Sequence, residues 1–481
     1  MARVGEHFAP LLGENSHVPF LTSKSLPSFL SGQSATGTLT RWRCMVTDTG
    51  IGNELLVPSC EHEGKRMHLM YGAEDRGQGW SDAALTERVV IGATSVPGEQ
   101  KWVGRLLQGN TALEDAVSAM EVSPSAPTLS VYLKVYDARL ADELRPAELV
   151  DVVGLVDLCY PASAWPEEND AQREPQPCIH VLALHRTSVT ALTRVTAPRA
   201  AAFSSAKARY EALVTYIAGV LAGDTLAAEY ITLSLLARIQ WRVPGAAVGA
   251  LTVNLTRADS VAEKLSAALE QLCPVVAVQS LALPELNNGN APLYPQGTDY
   301  GLHPGRLQLV DGTVLVVDEI SMGEGQLGDT GVRNVRTLSQ LISRHTLVYL
   351  YPFSEFEVNT DINVLVLSTG RSFLPADVHI PWQPSGGAIP EISQDVLDAF
   401  RTAILDARVA TLSVSDAASE RIQAYFVERR KADAKFTQDD LQRYIGIARL
   451  IALGTGGPEL GEVEWARAVE LENMRAARIS T

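Results

Sequence analysis

The sequence predicts a multidomain α/β protein: a β-rich region, then a mostly parallel sheet with helices on its faces, then an all-helical end. Three observations predict this class. Short strand-like stretches without long helices between them occupy residues 36–190. From about residue 206 strands and helices take turns, which is the rhythm of βαβ units. Beyond the Pro- and Gly-rich break WQPSGGAIPEI (382–392), only helical patterns follow.

In chain order, residues 1–35 stand apart as an N-terminal segment. The β-rich domain, 36–190, contains TLTRWRCMVTD (38–48), LSVYLKVYD (129–137), ELVDVVGLVDL (148–158) and CIHVLAL (178–184). In the second of these, Val131, Leu133 and Val135 fall on one face and Tyr132, Lys134 and Tyr136 on the other. Such strands fit a small barrel or sandwich. SAWPEENDAQREPQP (163–177) is polar with three prolines and reads as a loop. In the α/β domain, 206–385, an Ala/Leu-rich helical pair precedes the strands GALTVNL, TVLVVDE, TLVYLY and INVLVLS, which alternate with the helices SVAEKLSAALEQLC and GVRNVRTLSQLIS. Residues 386–481 carry four amphipathic helices, from DVLDAFRTAILDAR to VEWARAVELENMRAA.

Composition narrows the function. The chain has 481 residues, enough for about three domains at ~150 residues each. No apolar run reaches the ~18 residues of a membrane span, and MARVGEHFAPLLGENSH lacks a secretory pattern, so a soluble protein without a leader is expected. A formal charge of −16, from 40 basic and 56 acidic side chains, opposes a role in covering DNA phosphates and favours protein partners. The five cysteines are scattered and form no C-x-x-C, which fits a reducing compartment, cytosol or nucleus. Cys60, His62 and His68 match no common zinc spacing, so no metal is expected there. Arg429-Arg430-Lys431 reads as a solvated helix face.

The stretch TVLVVDE (313–319) raises the main chemical question. A strand ending in an acidic pair such as Asp318-Glu319 resembles the one that presents a magnesium-binding Asp and a catalytic Glu in P-loop ATPases. Such chemistry needs G-x-x-x-x-G-K-[ST], whose backbone N–H groups close round phosphates. The only Gly-Lys pair is Gly64-Lys65, followed by Arg66 and far from the strand. One strand–helix unit before Asp318 the chain reads LTVNL-TRADS-VAEKL, with no glycine from Thr256 to Ser260. Ser260 and Glu263 predict a capping box there, with Val261, Leu265, Leu269 and Leu272 as the buried face and Lys264 in solvent. Glu263 would set a negative charge where phosphate would sit. Gly323, Gly325 and Gly328 match G-x-G-x-x-G, but Asp318, Glu319 and Glu324 crowd any anion, and the helix is expected only near Gly331. A structural loop is expected instead, with no cofactor.

VDGTVLVVDE, GQL-x-x-x-GVRNV-x-x-LSQLIS and INVLVLSTGRSFLPAD (362–377) resemble the central block of the minichromosome-maintenance-complex-binding protein family. WRCMVTD (42–48), VPGE (96–99), LKVYD (133–137), GDTLAAEYITLSLL (223–236) and FTQDDLQRYIGIARLIAL (436–453) follow in the family's order. The resemblance implies an OB-like region, a degenerate AAA+-like core without a P-loop, and a lid-like helical end. It also implies a nuclear, non-enzymatic partner of minichromosome maintenance helicase subunits, reaching chromatin through them and acting in DNA replication and sister-chromatid cohesion. Thr437-Gln-Asp439-Asp-Leu441-Gln lies where those subunits place an arginine reaching phosphate, and here Asp439 takes its position. Ser368-Thr369-Gly370-Arg371 ends the strand that usually closes on Asn.

Asp318, Glu319, Glu324, Asp329 and Arg371 are accordingly the partner-binding candidates. The plainer expectations are that Asp318 and Glu319 hold the strand end and that Arg371 pairs with Asp377. Two other readings are an AAA+-type ATPase with an unorthodox nucleotide site and a single-strand DNA binder using the barrel. Acidic charge counts against the second.

Overall fold

Five strands of the first region close into a barrel: Thr38–Leu56 (β1), Thr86–Ser95 (β2), Ser130–Val135 (β3), Leu149–Cys159 (β4) and Gln176–Thr187 (β5). This structure is a computed structural model that describes residues 2–12, 18–21, 38–56, 59–62, 65–68, 85–108, 129–159, 175–192, 202–243, 246–298 and 301–480. The 163–177 loop therefore lies largely outside the described residues, as does most of the 1–35 segment.

Round the barrel the order is β1-β2-β3-β5-β4, closing on β1. All neighbours are antiparallel except β3 and β5, and the short helix Ala138–Glu143 joins β3 to β4. Trp42, Cys44, Val46, Ile91, Leu133, Val152 and Ile179 share its core. β2 lies outside the strands the sequence predicts. It is buried along most of its length, so its run VVIGAT never alternates with polar residues. On the face opposite Val131, Leu133 and Val135, Lys134 and Tyr136 are buried. Lys134 is buried, with Nζ 3.3 Å from Glu54 Oε2, and Arg88 approaches the same carboxylate at 2.5 Å. Tyr136 OH hydrogen-bonds His180 Nδ1 at 2.6 Å.

The chain divides into two compact units, and the first reclaims two later segments, Leu293–Asp311 and Val348–Val358. There the strands Gln296–Thr298, Gly301–His303, Thr346–Tyr351 and Ser354–Asn359 form a small sheet. Leu302 N–H donates to Asp48 Oδ2 at 2.8 Å, and Gln308 Nε2 donates to the Thr47 carbonyl at 2.9 Å. TLVYLY, expected in the large parallel sheet, belongs to this small one. Its apolar alternation is satisfied equally by either sheet.

The second unit is built on five parallel strands: Val253–Thr256 (β6), Val276–Ser280 (β7), Val314–Asp318 (β8), Asn363–Ser368 (β9) and Val378–Pro381 (β10). Their order is β7-β8-β9-β6-β10. Helices cover both faces, so VLVV of β8 and VLVL of β9 are buried throughout, which is why these strands read as unbroken apolar runs. The helices are Ala206–Val220 (α1), Thr225–Leu236 (α2), Ala262–Leu272 (α3), Asp329–Arg344 (α4), Gln394–Val409 (α5), Asp416–Ala432 (α6), Gln438–Thr455 (α7) and Glu462–Ser480 (α8). One core joins Leu213, Tyr230, Val253, Leu265, Val316, Leu365, Phe400, Ile447 and Leu471. The C-terminal helices thus share their interior with the sheet.

A candidate site at the carboxyl edge of the parallel sheet

In open α/β sheets, ligands bind beyond the carboxyl ends of the strands, where neighbouring connections diverge. In this unit the ends of β6, β8 and β9 define that place. β9 lies between the other two, so the turn after Thr256, the pair Asp318-Glu319 and the loop from Ser368 share one edge.

The turn after β6 is occupied by the chain itself. Arg257 N–H donates to the Thr369 carbonyl at 3.1 Å and Ala258 N–H to the Ser368 carbonyl at 3.2 Å. Val261 and Ala262 N–H groups both donate to the Ala258 carbonyl at 3.0 Å. Asp259 Oδ1 accepts the Thr369 hydroxyl at 2.7 Å. Donors that a phosphate loop would aim at its ligand are therefore spent within the fold. Arg257 is held at φ 61°, a left-handed conformation that costs a non-glycine residue roughly 1–2 kcal/mol.

The expected capping box does not form. α3 begins at Ala262, Val261 takes the cap position in helical geometry, and no side chain caps it. The preceding turn already serves the first N–H groups through the Ala258 carbonyl, which leaves Ser260 inside the turn and exposed. The rest of that reading holds: Val261, Leu265, Leu269 and Leu272 are buried, and Glu263 and Lys264 are exposed.

Asp318 folds back on its own turn. Its Oδ1 accepts the N–H groups of Ile320 at 3.0 Å and Ser321 at 3.3 Å, while its carbonyl accepts Leu281 N–H at 2.9 Å. Glu319 accepts the Ser372 hydroxyl and the Phe373 backbone N–H. Burial nevertheless pushes its carboxyl above the ordinary value, against both hydrogen bonds. The structural expectation for this pair is met at both residues.

Behind them lies Asn254, which sequence reasoning missed. It is wholly buried, and its Nδ2 donates to the Val366 carbonyl at 3.2 Å and Ser368 Oγ at 2.8 Å. Its Oδ1 accepts Ser372 N–H at 3.4 Å and meets His379 Nδ1 at 3.0 Å. Burial, then Arg371 and Arg475, hold the His379 pKa below its ordinary value. The signal was present: an Asn inside the apolar strand LTVNL has to find partners in the interior. Ser372 and His379 had no such signal.

Arg371 is exposed and forms no ion pair or hydrogen bond among the described residues. The expected pairing with Asp377 is not made. Asp377 instead accepts Thr252 N–H at 2.7 Å. Glu324, on the connection from β8 to α4, and Asp329, the first residue of α4, are also exposed, and the helix start falls near Gly331 as expected. Asn287 pins this connection, accepting Gly328 N–H at 2.9 Å and donating to the Gln326 carbonyl at 3.1 Å. A Cβ at Gly331 would lie 2.3 Å from Asn287 Oδ1, so glycine permits that close approach. Asp318, Glu319 and Arg371 are thus gathered at one edge, Glu324 stands on the loop leaving it, and Asp329 opens the helix that follows. Asp439 lies exposed in the first turn of α7.

The chain is similar to several known proteins. A UPF0616 protein of Schizosaccharomyces pombe is 27% identical over 469 residues, covering 94% of this chain and 89% of that protein. The Mini-chromosome maintenance complex-binding protein of Arabidopsis thaliana is 27% identical over 390 residues, covering 75% of this chain and 65% of its own length. Its human namesake is 32% identical over 281 residues, covering 56% of this chain and 44% of its own length. The chain therefore spans about half of the human protein. A family profile described as Mini-chromosome maintenance replisome factor matches residues 107–479. With that match covering most of its length, the chain belongs to the mini-chromosome maintenance replisome factor family.

Proposed function

We propose that this chain is a non-enzymatic, nuclear binding partner of the minichromosome maintenance complex in DNA replication. The name of its Arabidopsis and human relatives states that they bind this complex. The observation that carries the non-enzymatic part is the strand-end edge. The turn after β6 directs its N–H groups at Ser368, Thr369 and Ala258, and Asp318 binds its own turn instead of facing a metal ion. Work on the complex, whether assembly, unloading or protection, and any part in sister-chromatid cohesion then rest on protein contacts.

The architecture supports kinship with the helicase subunits. A five-stranded barrel in the order β1-β2-β3-β5-β4, with a helix between β3 and β4, is OB-like. A parallel sheet with the acidic strand β8 and the loop-bearing strand β6 on either side of β9 is AAA+-like. In this reading Asp318 and Glu319 brace the edge, while Glu324, Asp329 and Arg371 face the partner. The acidic pair would dock on a basic edge of one subunit, speeding association at low salt more than raising affinity.

Two measurements test this. Titration of the purified chain with Mg-ATP should show no binding, and stoichiometric micromolar binding lost in Asp318→Ala would restore the ATPase reading. Glu324→Lys/Asp329→Lys, with its fold checked by circular dichroism, should recover less of at least one subunit in pull-downs at physiological salt. Undiminished recovery of every subunit removes this loop from the interface.

A further inference from the structure

In the second unit, α6 carries a stripe of side chains that its own fold does not use. Toward the interior the helix buries Ala418 and Ile422 and packs Tyr425 and Phe426 against the core. At 3.6 residues per turn, Glu420, Ala424, Val427 and Lys431 run along the opposite side. All four are exposed, and Val427 keeps 53% of its surface in solvent. With Gln423 and Glu428 they border a shallow hollow of about 570 Å³ whose lining comes from α6 alone. Glu420 and Lys431 form no ion pair or hydrogen bond among the described residues.

The spacing along this stripe is four, three and four residues, which is that of a coiled-coil seam. The stripe is also self-complementary when reversed. Ala424 and Val427 lie equally far from the midpoint between Tyr425 and Phe426, and so do Glu420 and Lys431. A two-fold axis at that midpoint sets each residue against its counterpart in a reversed copy. Val427 then packs on Ala424 at the centre, and Glu420 meets Lys431 at both ends. A parallel copy would instead set Glu420 against Glu420 and Lys431 against Lys431, so the charges select the antiparallel arrangement.

We infer that this face of α6 binds a second copy of the chain, as an antiparallel helix pair with two-fold symmetry. Two Glu420–Lys431 ion pairs flank the central contacts of Ala424 with Val427 and fix the register. One helix pair buries less than the ~1,200 Å² of stable complexes, so the dimer has a dissociation constant of about 10–100 µM. Dilute chains are then monomers, whereas two copies held on one assembly, at effective concentrations up to about millimolar, pair. This inference concerns α6 and does not depend on the edge of the parallel sheet.

The test is sedimentation velocity on the full chain from about 1 to 300 µM. A reversible monomer–dimer equilibrium is expected in that range, with amide exchange along Asp416–Ala432 slowing as the dimer fills. Glu420→Lys makes both ends of the seam basic, and Lys431→Glu makes both acidic. Each variant, shown by circular dichroism to be folded, should weaken self-association at least about tenfold. Mixed in equal amounts, the two variants should pair with each other about as well as the wild type, because every end contact is again opposite in charge. The inference is overturned by a monomer throughout the range, by a dimer that both variants leave unchanged, or by variants that fail to pair on mixing. If a variant does not fold, exchange in the unmodified chain decides: dimerisation without slowing in Asp416–Ala432 places the interface elsewhere and overturns the inference.

Discussion

At the scale of single residues, the strand-end edge depends on Asn254. Replacing it with Ala leaves the buried Ser372 N–H without its acceptor and takes one partner each from Ser368 Oγ and the part-buried His379. Each buried polar group left unpaired costs about 1–3 kcal/mol. Asn254→Ala should therefore lose at least about 2 kcal/mol in a urea melt, and a smaller loss would mean that the network rearranges at little cost. Ser260→Ala should change stability by less than about 0.5 kcal/mol, because Ser260 is exposed and caps nothing.

A third residue gives a pH signature. Arg43 Nε stands 3.1 Å from Glu99 Oε1, yet neither atom forms a hydrogen bond. Burial and then the repulsion of Asp151 outweigh Arg43 and raise the Glu99 pKa to about 7 from 4.5. Below pH 4.5 the folded and unfolded forms both hold the proton. From there to pH 7 only the folded form keeps it, so stability falls as pH rises through this window. Measured against Glu99→Gln at each pH, the wild type should lose up to about 3 kcal/mol across it. A constant difference between the two proteins would contradict this.

At the scale of elements, the helix starts show how far local sequence reaches. Ser260 and Glu263 have the spacing of a capping box, but the turn before them closes on Ala258, and the box is never made. At α7 the box is real: Thr437 and Asp440 cap each other's backbone N–H groups. Thr437→Ala should lower stability by about 1 kcal/mol in a thermal melt, and no change would show the cap to be redundant. The apolar faces of α3, β8 and β9 were legible because burial alone decides them. β7 and β10 were not, being four or five residues long with Gln279 and His379 among them. TLVYLY was correctly a strand, but alternation does not state which neighbour a strand pairs with.

At the scale of the molecule, the least legible feature is the return of Leu293–Asp311 and Val348–Val358 to the first unit. The bonds that fix it, such as Leu302 N–H to Asp48, join residues about 250 positions apart, which no local pattern can anticipate. A fragment ending at Leu192 lacks these segments. Its β1 amides near Asp48 should exchange faster than in the full chain, and equal protection would make the returning segments dispensable to the barrel.

The central claim is that this family member engages the minichromosome maintenance complex through protein surfaces, without nucleotide chemistry of its own. Gel filtration of the purified chain mixed with minichromosome maintenance subunits, without nucleotide and again with Mg-ATP, tests it most directly. Co-elution with at least one subunit in the absence of nucleotide is predicted. Failure to co-elute with any subunit, or a complex that forms only when this chain binds Mg-ATP, would contradict the account.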